Sequence, residues 1–167
     1  MNYLRIILFF AASLFLMGAD SGEQGTDEQA KLLERQKQLN ARIEALKQEQ
    51  DYLLFQNTMY ASDSKYLVIN ITARTGQLKY KNRILKDFRF TSAGRVSMLK
   101  QGAAMLTKKI DGTKKRSLIF GSSFVLLDKR ASAASFEAGI PLIYLSKKDF
   151  LSIFYSVENG ARSYIIR

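Results

Sequence analysis

The sequence predicts an α+β protein, in which a signal peptide and a helical, coiled-coil-like stalk precede a mostly β domain with one C-terminal helix. Three observations support this: an apolar run at the N terminus, leucines spaced seven residues apart, and alternating apolar residues after position 65. The predicted segments are a signal peptide at 1–19, a linker at 20–27, the stalk at 28–57 and the domain at 65–167. Apolar residues make up 47% of the chain, enough for such a domain to bury a core.

The N-terminal segment has the pattern of a secretory signal peptide. Arg5 supplies a positive charge, and an apolar run from Ile6 to Ala19 follows it. As a helix, this run would reach about 21 Å, which is short of the roughly 30 Å hydrocarbon core of a bilayer. The pattern predicts export to the periplasm or cell envelope of a bacterium. Two alternatives remain: an uncleaved leader, which would anchor the chain in the membrane, and a buried core helix.

The stalk is predicted from a segment rich in good helix formers, which begins after the predicted N-cap Asp27. Its leucines recur as the d positions of a heptad do, whereas three of the four a positions are polar. The residues predicted to form an oligomerisation seam are Leu32, Leu39, Ile43, Leu46 and Leu53. The alternative is a helix that packs on its own domain, with residues 53–55 as the docking segment.

The β domain is predicted from segments in which apolar and polar residues alternate. A three-stranded meander is expected at Lys65–Thr72, Gln77–Tyr80 and Arg83–Thr91, with turns at 73–76 and 81–82. Further strands are predicted at Ser117–Phe120, Ser123–Asp128, Ile140–Leu145 and Ser163–Ile166. Residues 131–139 are expected to form a loop, and residues 92–116 give no clear pattern.

A C-terminal helix is predicted to follow Ser146, which together with Asp149 resembles a capping box with Asp in place of Glu. Gly160 is predicted to end this helix as its C′ residue. The residues predicted to form its one buried face are Phe150, Ile153, Phe154 and Val157. The domain is therefore expected to combine a sheet with one short amphipathic helix.

The chain contains no Cys and no His. It therefore has no thiol nucleophile, no disulfide, and neither the commonest general base nor the commonest metal ligand. Ser122 and Ser123 follow Gly121 in a pattern that is typical of a turn. The sequence shows no Gly-rich phosphate loop and no metal-ligand cluster, so we predict no cofactor, no metal and no enzymatic activity.

The net charge of +11 is concentrated in one stretch, since residues 65–116 hold 14 basic and 2 acidic side chains. Such a stretch would face anionic partners. The residues predicted to form an anion-binding surface are Lys79, Lys81, Arg83, Lys86 and Arg89. Its expected ligands are peptidoglycan carboxylates or anionic lipid headgroups, and export makes nucleic acid an unexpected partner. A solvated strand face, with lysines protecting the edge, is the alternative.

The two ends of the predicted domain carry an ordered set of motifs. At the C-terminal end, an Asp begins a helix with an apolar–aromatic pair and a Val, and a Gly, a short spacer and an apolar strand follow. These residues are Asp149, Ile153, Phe154, Val157, Gly160, Ala161 and Ile165. At the other end, an apolar strand and a turn come before a strand that ends in Leu-x-Tyr, and a short basic turn and a strand that runs into a Gly follow. These are Tyr66–Ile71, Leu78, Tyr80, Lys81–Arg83 and Ile84–Gly94. In this order they resemble the L,D-transpeptidase catalytic domain, and the resemblance implies the fold of that peptidoglycan cross-linking family.

The same resemblance implies where the family's catalytic residues would lie, and this sequence departs from the pattern there. The family's thiol is found seven residues before the Asp that begins the helix, a position occupied by Leu142. The preceding Gly of the family is Pro141 here, and its Arg two residues after the thiol is Tyr144. Acyl transfer requires a thiolate and a base, so the resemblance implies the fold and not the reaction.

We therefore predict an exported, non-catalytic cell-envelope protein that binds or scaffolds at peptidoglycan or a membrane surface. The alternative is an interaction subunit of an envelope protein complex that is assembled through the coiled-coil stalk. A homo-oligomer formed through the same helix is a separate expectation. An enzyme that uses Ser, Tyr or carboxylate side chains is a third interpretation.

Overall fold

The computed structural model describes residues 24–112, 116–128 and 139–167. The predicted signal peptide, positions 20–23 of the predicted linker and positions 131–138 of the predicted loop lie outside these ranges. The chain divides into two compact units, Met1–Glu44 and Ala45–Arg167. Among the residues described, no helix combines the length and the apolar character needed to span a membrane.

The stalk is helical, as the sequence predicts. Helix α1 (Gln24–Ala61) extends beyond the predicted segment 28–57 at both ends. The prediction of Asp27 as the N-cap is wrong, because positions 24–27 are already helical and do not belong to a linker. Asp27 instead lies in the first turn, where its negative charge interacts favourably with the helix dipole.

The described part of the domain contains a single curled sheet of nine strands. The strands are β1 (Lys65–Asn70), β2 (Thr75–Tyr80), β3 (Arg83–Gly94), β4 (Gly102–Met105), β5 (Lys108–Asp111), β6 (Arg116–Phe120), β7 (Phe124–Asp128), β8 (Leu142–Leu145) and β9 (Arg162–Ile166). Their order in the sheet is β4-β9-β1-β2-β3-β8-β7-β6-β5. Every predicted strand is confirmed, with somewhat different bounds. Strands β4 and β5 were not predicted, since each is only four residues long and alternates weakly.

One segment joins the two edges of this sheet. Strands β4 and β5 stand at opposite ends of the strand order, yet only Leu106 and Thr107 separate them in the sequence. The backbone N–H of Leu106 donates to the carbonyl of Ala161 at 2.8 Å, and that of Thr107 donates to the carbonyl of Ile119 at 2.8 Å. The sheet therefore curls until one segment hydrogen-bonds to both of its ends, with Leu106 buried in the core.

The interior of the curled sheet holds the main hydrophobic core. Alternate residues of the strands point into it, and helix α2 (Lys147–Ser156) packs there. Within this core, the rings of Phe120 and Phe124 stack with their centroids 4.5 Å apart. The predicted helix face is confirmed, since its four residues are all buried: Phe150, Ile153, Phe154 and Val157.

The outer face of β1 and β9 packs against the C-terminal part of α1. The residues of this second cluster are Phe55, Met59, Tyr66, Val68 and Tyr164. The predicted docking segment 53–55 is confirmed for Phe55 and is wrong for Leu53 and Leu54, which remain exposed. The helical period places Phe55 and Met59 on the side of α1 roughly opposite Leu53. The domain therefore binds the aromatic side of the helix, not its leucine side.

The N terminus of α2 has the predicted cap. The backbone N–H of Asp149 donates to Oγ of Ser146 at 3.1 Å, and the Ser146 hydroxyl donates to the Asp149 carboxylate at 2.8 Å. The prediction of Gly160 as C′ is wrong, because the helix has its C-cap at Val157. Gly160 lies in the following turn at φ 85°, and its N–H donates to the carbonyl of Leu106 at 2.8 Å.

A lysine from β5 caps the other end of α2. The Lys109 ammonium donates to the carbonyls of Phe154 at 2.6 Å and Val157 at 2.8 Å, and it lies 4.7 Å from the centre of the Phe154 ring. Carbonyls at a helix C terminus lack intrahelical donors and carry the negative end of the dipole. Lys109 therefore ties the segment that closes the sheet to the helix in its core.

We expect Lys109→Met to lower the free energy of unfolding by about 2 kcal/mol, because two helix-end carbonyls lose a charged donor. Lys108→Met, at the exposed neighbour on the same strand, is the control and should change stability by less than about 0.5 kcal/mol. Urea denaturation followed by circular dichroism measures both variants. Equal losses in the two proteins would contradict the assigned cap.

The residues of the predicted seam are all exposed in the single chain: Leu32, Leu39, Ile43, Leu46 and Leu53. We expect residues 24–167 to self-associate, because apolar d positions are stabilised when a partner helix excludes water from them. Leu39→Asp with Leu46→Asp should give a folded monomer. Gln38→Asp with Ala45→Asp places the same charges away from the seam and should leave the oligomer intact. Sedimentation equilibrium measures the mass, and a monomeric parent protein would refute the seam.

Candidate functional site

A groove of about 730 Å³ lies beside the C-terminal part of α1. Tyr52 of the helix lines it, and Val68 of β1 and Ile166 of β9 add apolar surface. The polar side chains that line the groove are those of Asn70, Thr75, Gln77, Asp87, Arg89 and Asp149. A concave surface that is partly apolar and carries several convergent polar groups is typical of a ligand-binding site.

Pairing between β2 and β3 positions the central polar residues of the groove. Thr75 lies opposite Arg89 and Gln77 lies opposite Asp87, so these four side chains share one face of the sheet. The Gln77 amide donates to the Asp87 carboxylate at 2.9 Å. Arg89 is exposed two residues further along, at about 7 Å from Asp87 in the strand direction. This face therefore presents an amide, a carboxylate and a guanidinium within reach of one small ligand.

A glycine lies opposite an aromatic residue in the same part of strands β2 and β3. Gly76 pairs with Phe88, and a Cβ atom at position 76 would come within 2.3 Å of the Phe88 ring. Glycine alone leaves space for that ring to lie across the neighbouring strand. Both residues line the groove, and the ring itself lies on the core face of the strands, opposite the face of Gln77 and Asp87.

Two ionisable groups of the groove have shifted pKa values. Burial raises the pKa of the Tyr52 hydroxyl, against the opposing effect of a hydrogen bond with Gln56, so this hydroxyl remains a donor at neutral pH. For Asp149, burial favours a higher pKa, but hydrogen bonds from Lys86 and Ser146 and the charge of Lys86 together lower it. Nζ of Lys86 lies 2.9 Å from the Asp149 carboxylate, which therefore stays ionised and paired.

The residues of the predicted anion-binding surface occupy three different places. Those at the tip of the β2–β3 hairpin are Lys79, Lys81 and Arg83. Lys86 pairs with Asp149, and Arg89 lines the groove. The Lys81 ammonium lies 3.1 Å from Asp63, and this hydrogen bond raises the pKa of Lys81 and lowers that of Asp63. Of the predicted set, Arg89 is the residue that reaches the groove.

The residue that the sequence resemblance aligns with the family's thiol, Leu142, is a buried alkyl side chain. Leu142 begins β8 and lies between Gly94 of β3 and Val125 of β7. Its side chain packs in an apolar cluster with Val125 and Leu127, separate from the main core. The carbonyl of Pro141 accepts the backbone N–H of Val125 at 2.9 Å. This position offers packing and no nucleophilic atom.

Sequence reasoning missed Tyr52, Gln77 and Asp87 as groove residues. The register of the β2–β3 hairpin shifts at a bulge, and an unbroken hairpin with the same turn would pair Gln77 with Lys86 instead. For Gln77 and Asp87, the only available signal was a polar outward position in a predicted strand, which many solvated side chains share. Tyr52 lies in the predicted stalk. Among the described residues, no group of three or more His, Cys, Asp or Glu side chains could hold a metal ion.

No protein-family model matches this sequence, and no curated protein matches it. The structure is similar to solved L,D-transpeptidases. One from Stackebrandtia nassauensis has a TM-score of 0.50 at 10% identity, over 64% of this chain and 57% of that one. One from Mycobacterium smegmatis has a TM-score of 0.48 at 13% identity, over 62% and 59%. LdtMt1 in complex with imipenem has a TM-score of 0.49 at 15% identity, over 63% and 60%.

The domain therefore has a fold similar to that of the L,D-transpeptidases, which confirms the resemblance in the sequence. At 10% sequence identity, the similarity to the structure from Stackebrandtia nassauensis supports the fold alone. The chain spans 57%, 59% and 60% of the lengths of these structures, which is less than two thirds of each.

Proposed function

We propose that the protein is an exported, non-catalytic component of the cell envelope that binds peptidoglycan. The observation that carries this proposal is Leu142, a packed alkyl side chain at the position that the sequence resemblance assigns to the thiol of those enzymes. The chain also has no Cys and no His at any other position. Without a thiolate, or a base to generate one, the acyl transfer of that family has no nucleophile.

The groove supports binding in the absence of a chemical step. Peptidoglycan combines sugar hydroxyls, amides and charged amino-acid ends in one polymer. The groove offers Gln77 to an amide, Asp87 to a cation or hydroxyl, and Arg89 to a carboxylate, while Tyr52 gives a sugar ring a surface on which to pack. Charge-assisted hydrogen bonds such as those of Arg89 are about twice as strong as neutral ones.

A second candidate is an interaction subunit of an envelope protein complex, assembled through the stalk. The observation that favours it is the exposed leucine side of α1, where Leu46 and Leu53 lie roughly opposite the docked Phe55 and Met59. In this role the leucines bind a second helix, and the groove does not have to bind peptidoglycan. Retention on peptidoglycan separates the two candidates, because only the first requires it.

We expect no covalent adduct when the protein is incubated with imipenem, the compound in complex with one of the similar structures. The reason is that position 142 carries no nucleophile and the chain has no thiol elsewhere. Mass spectrometry of the intact protein measures the adduct, and an active L,D-transpeptidase is the positive control. A stoichiometric adduct on this chain would reveal an unrecognised nucleophile and refute the non-catalytic role.

We expect the protein to sediment with purified sacculi, and Arg89→Glu to lower its affinity about tenfold, because the change removes a charged donor beside Asp87. Lys108→Glu makes the same change of charge outside the groove and should bind like the parent. Circular dichroism checks that both variants are folded. A parent that stays in solution rules out peptidoglycan binding, whereas unchanged binding by Arg89→Glu would place the binding site elsewhere.

A further inference from the structure

The tip of the β2–β3 hairpin exposes two neighbouring aliphatic side chains. Ile84 is 50% exposed and Leu85 is 48% exposed. The bulge in the hairpin pairs Ile84 with Lys79 and Lys86 with Leu78, which leaves Leu85 without an opposite residue. Two successive apolar residues therefore stand in solvent at the start of β3.

The bulge changes the face of the sheet that Ile84 occupies. In an unbroken strand, residues 84, 86, 88 and 90 would share one face, and Phe88 and Phe90 on that face are buried in the core. Because of the bulge, Ile84 shares the outer face with Lys79 instead. The hairpin thus gives up burial of an aliphatic side chain that a regular register would direct inward.

Basic and tyrosine side chains surround the exposed pair. Arg83 precedes it and is exposed, and Lys79 lies opposite Ile84. Lys81 occupies the turn, where its ammonium is paired with Asp63. The Lys81 ammonium lies 5.5 Å from the centre of the Tyr80 ring. Tyr60 is 60% exposed near the C-terminal end of α1. It lies a few residues before β1, the strand that pairs with this part of β2. The tip therefore combines a small apolar centre with a cationic and aromatic rim.

We propose that this hairpin tip docks on the surface of an anionic lipid membrane, with Ile84 and Leu85 in the interfacial region and the basic side chains among the headgroups. Apolar side chains flanked by Lys, Arg and aromatic residues are the combination that bilayer interfaces attract. A protein interface buries about 800 Å² per partner, and two aliphatic side chains form too small a centre for one. Peptidoglycan would pair with the charges and would leave the aliphatic pair without an apolar partner.

The tip and the groove share strands β2 and β3 but no residue from 79 to 86 lines the groove. Each surface can therefore be altered without changing the side chains of the other. The membrane contact goes beyond the proposed binding of peptidoglycan and stands or falls independently of it.

A local fluorescent label tests the proposal, since a chain without native Cys can be labelled at a single introduced one. Leu85→Cys places an environment-sensitive fluorophore at the tip, and Met98→Cys places it at another exposed residue. The full-length proteins are mixed with vesicles of equal parts phosphatidylglycerol and phosphatidylcholine, or of phosphatidylcholine alone. Because the readout is local, attachment of the chain through any other segment does not produce the signal.

We expect the emission of the Leu85 label to shift to the blue on anionic vesicles at low salt, and the Met98 label to remain unchanged. The shift should weaken at high salt, because salt screens the attraction of the basic rim to the headgroups. A Leu85 label that stays in water on anionic vesicles would overturn the proposal. An equal shift on neutral vesicles, or one caused by soluble peptidoglycan fragments, would overturn it too.

Charge variants test the contribution of the rim in the same assay. Lys79→Gln with Arg83→Gln should weaken the binding detected by the tip label about thirtyfold, the loss expected for two basic residues at an anionic surface. Lys100→Gln with Lys108→Gln removes the same charge at exposed positions away from the tip, and should weaken binding by much less. Equal effects of the two pairs would assign the attraction to net charge and overturn the docking geometry.

Discussion

Closure of the sheet by residues 102–111 is the constraint on which the rest of the domain depends. Leu106 is bonded on its N–H to Ala161 and on its carbonyl to Gly160, while its side chain lies in the core. The next residue, Thr107, binds the other edge of the sheet, because its N–H donates to the carbonyl of Ile119. Because the segment also carries the lysine that caps α2, the sheet edges and the central helix are held at the same place. The outer face on which α1 docks is curved as a consequence.

The bulge at Leu85, in the part of β3 that pairs with β2, sets the two surfaces that carry our proposals. The first part of this strand pairs with β2 and the last part with β8, so it belongs to both halves of the sheet. On one side of the bulge the shifted register puts Gln77 opposite Asp87, which builds the groove. On the other side it turns Ile84 outward, which builds the apolar tip. Bulges re-aim side chains in this way, and here both effects follow from one extra residue.

Patterns that depend on local periodicity were predictable from the sequence, and features that depend on distant pairing were not. The meander and the buried face of α2 follow from periods of two and about 3.6 residues, and the ordered motifs at both ends gave the fold. The groove could not be predicted, because Asp87 reaches Gln77 only through the bulge. The leucine heptad likewise dominates the pattern of α1. The sequence therefore predicted docking through Phe55 together with its neighbours in 53–55, and not through Phe55 on another side of the helix. Lys109 carried no local signal, since its partners lie in a helix more than forty residues away.

Strand β9 lies between β4 and β1, antiparallel to the first and parallel to the second. The consequence concerns the order of folding. Until residues 162–166 are available, β1 has an open edge, the closing segment has no strand to pair with on that side, and Tyr164 cannot cover the docking site of α1. Parallel pairing of strands that are so far apart in the sequence also forms slowly. The entropy cost of closing the intervening loop comes before the stabilising contacts between the strands are made. A nascent chain therefore remains incompletely folded until residues 162–166 have been made.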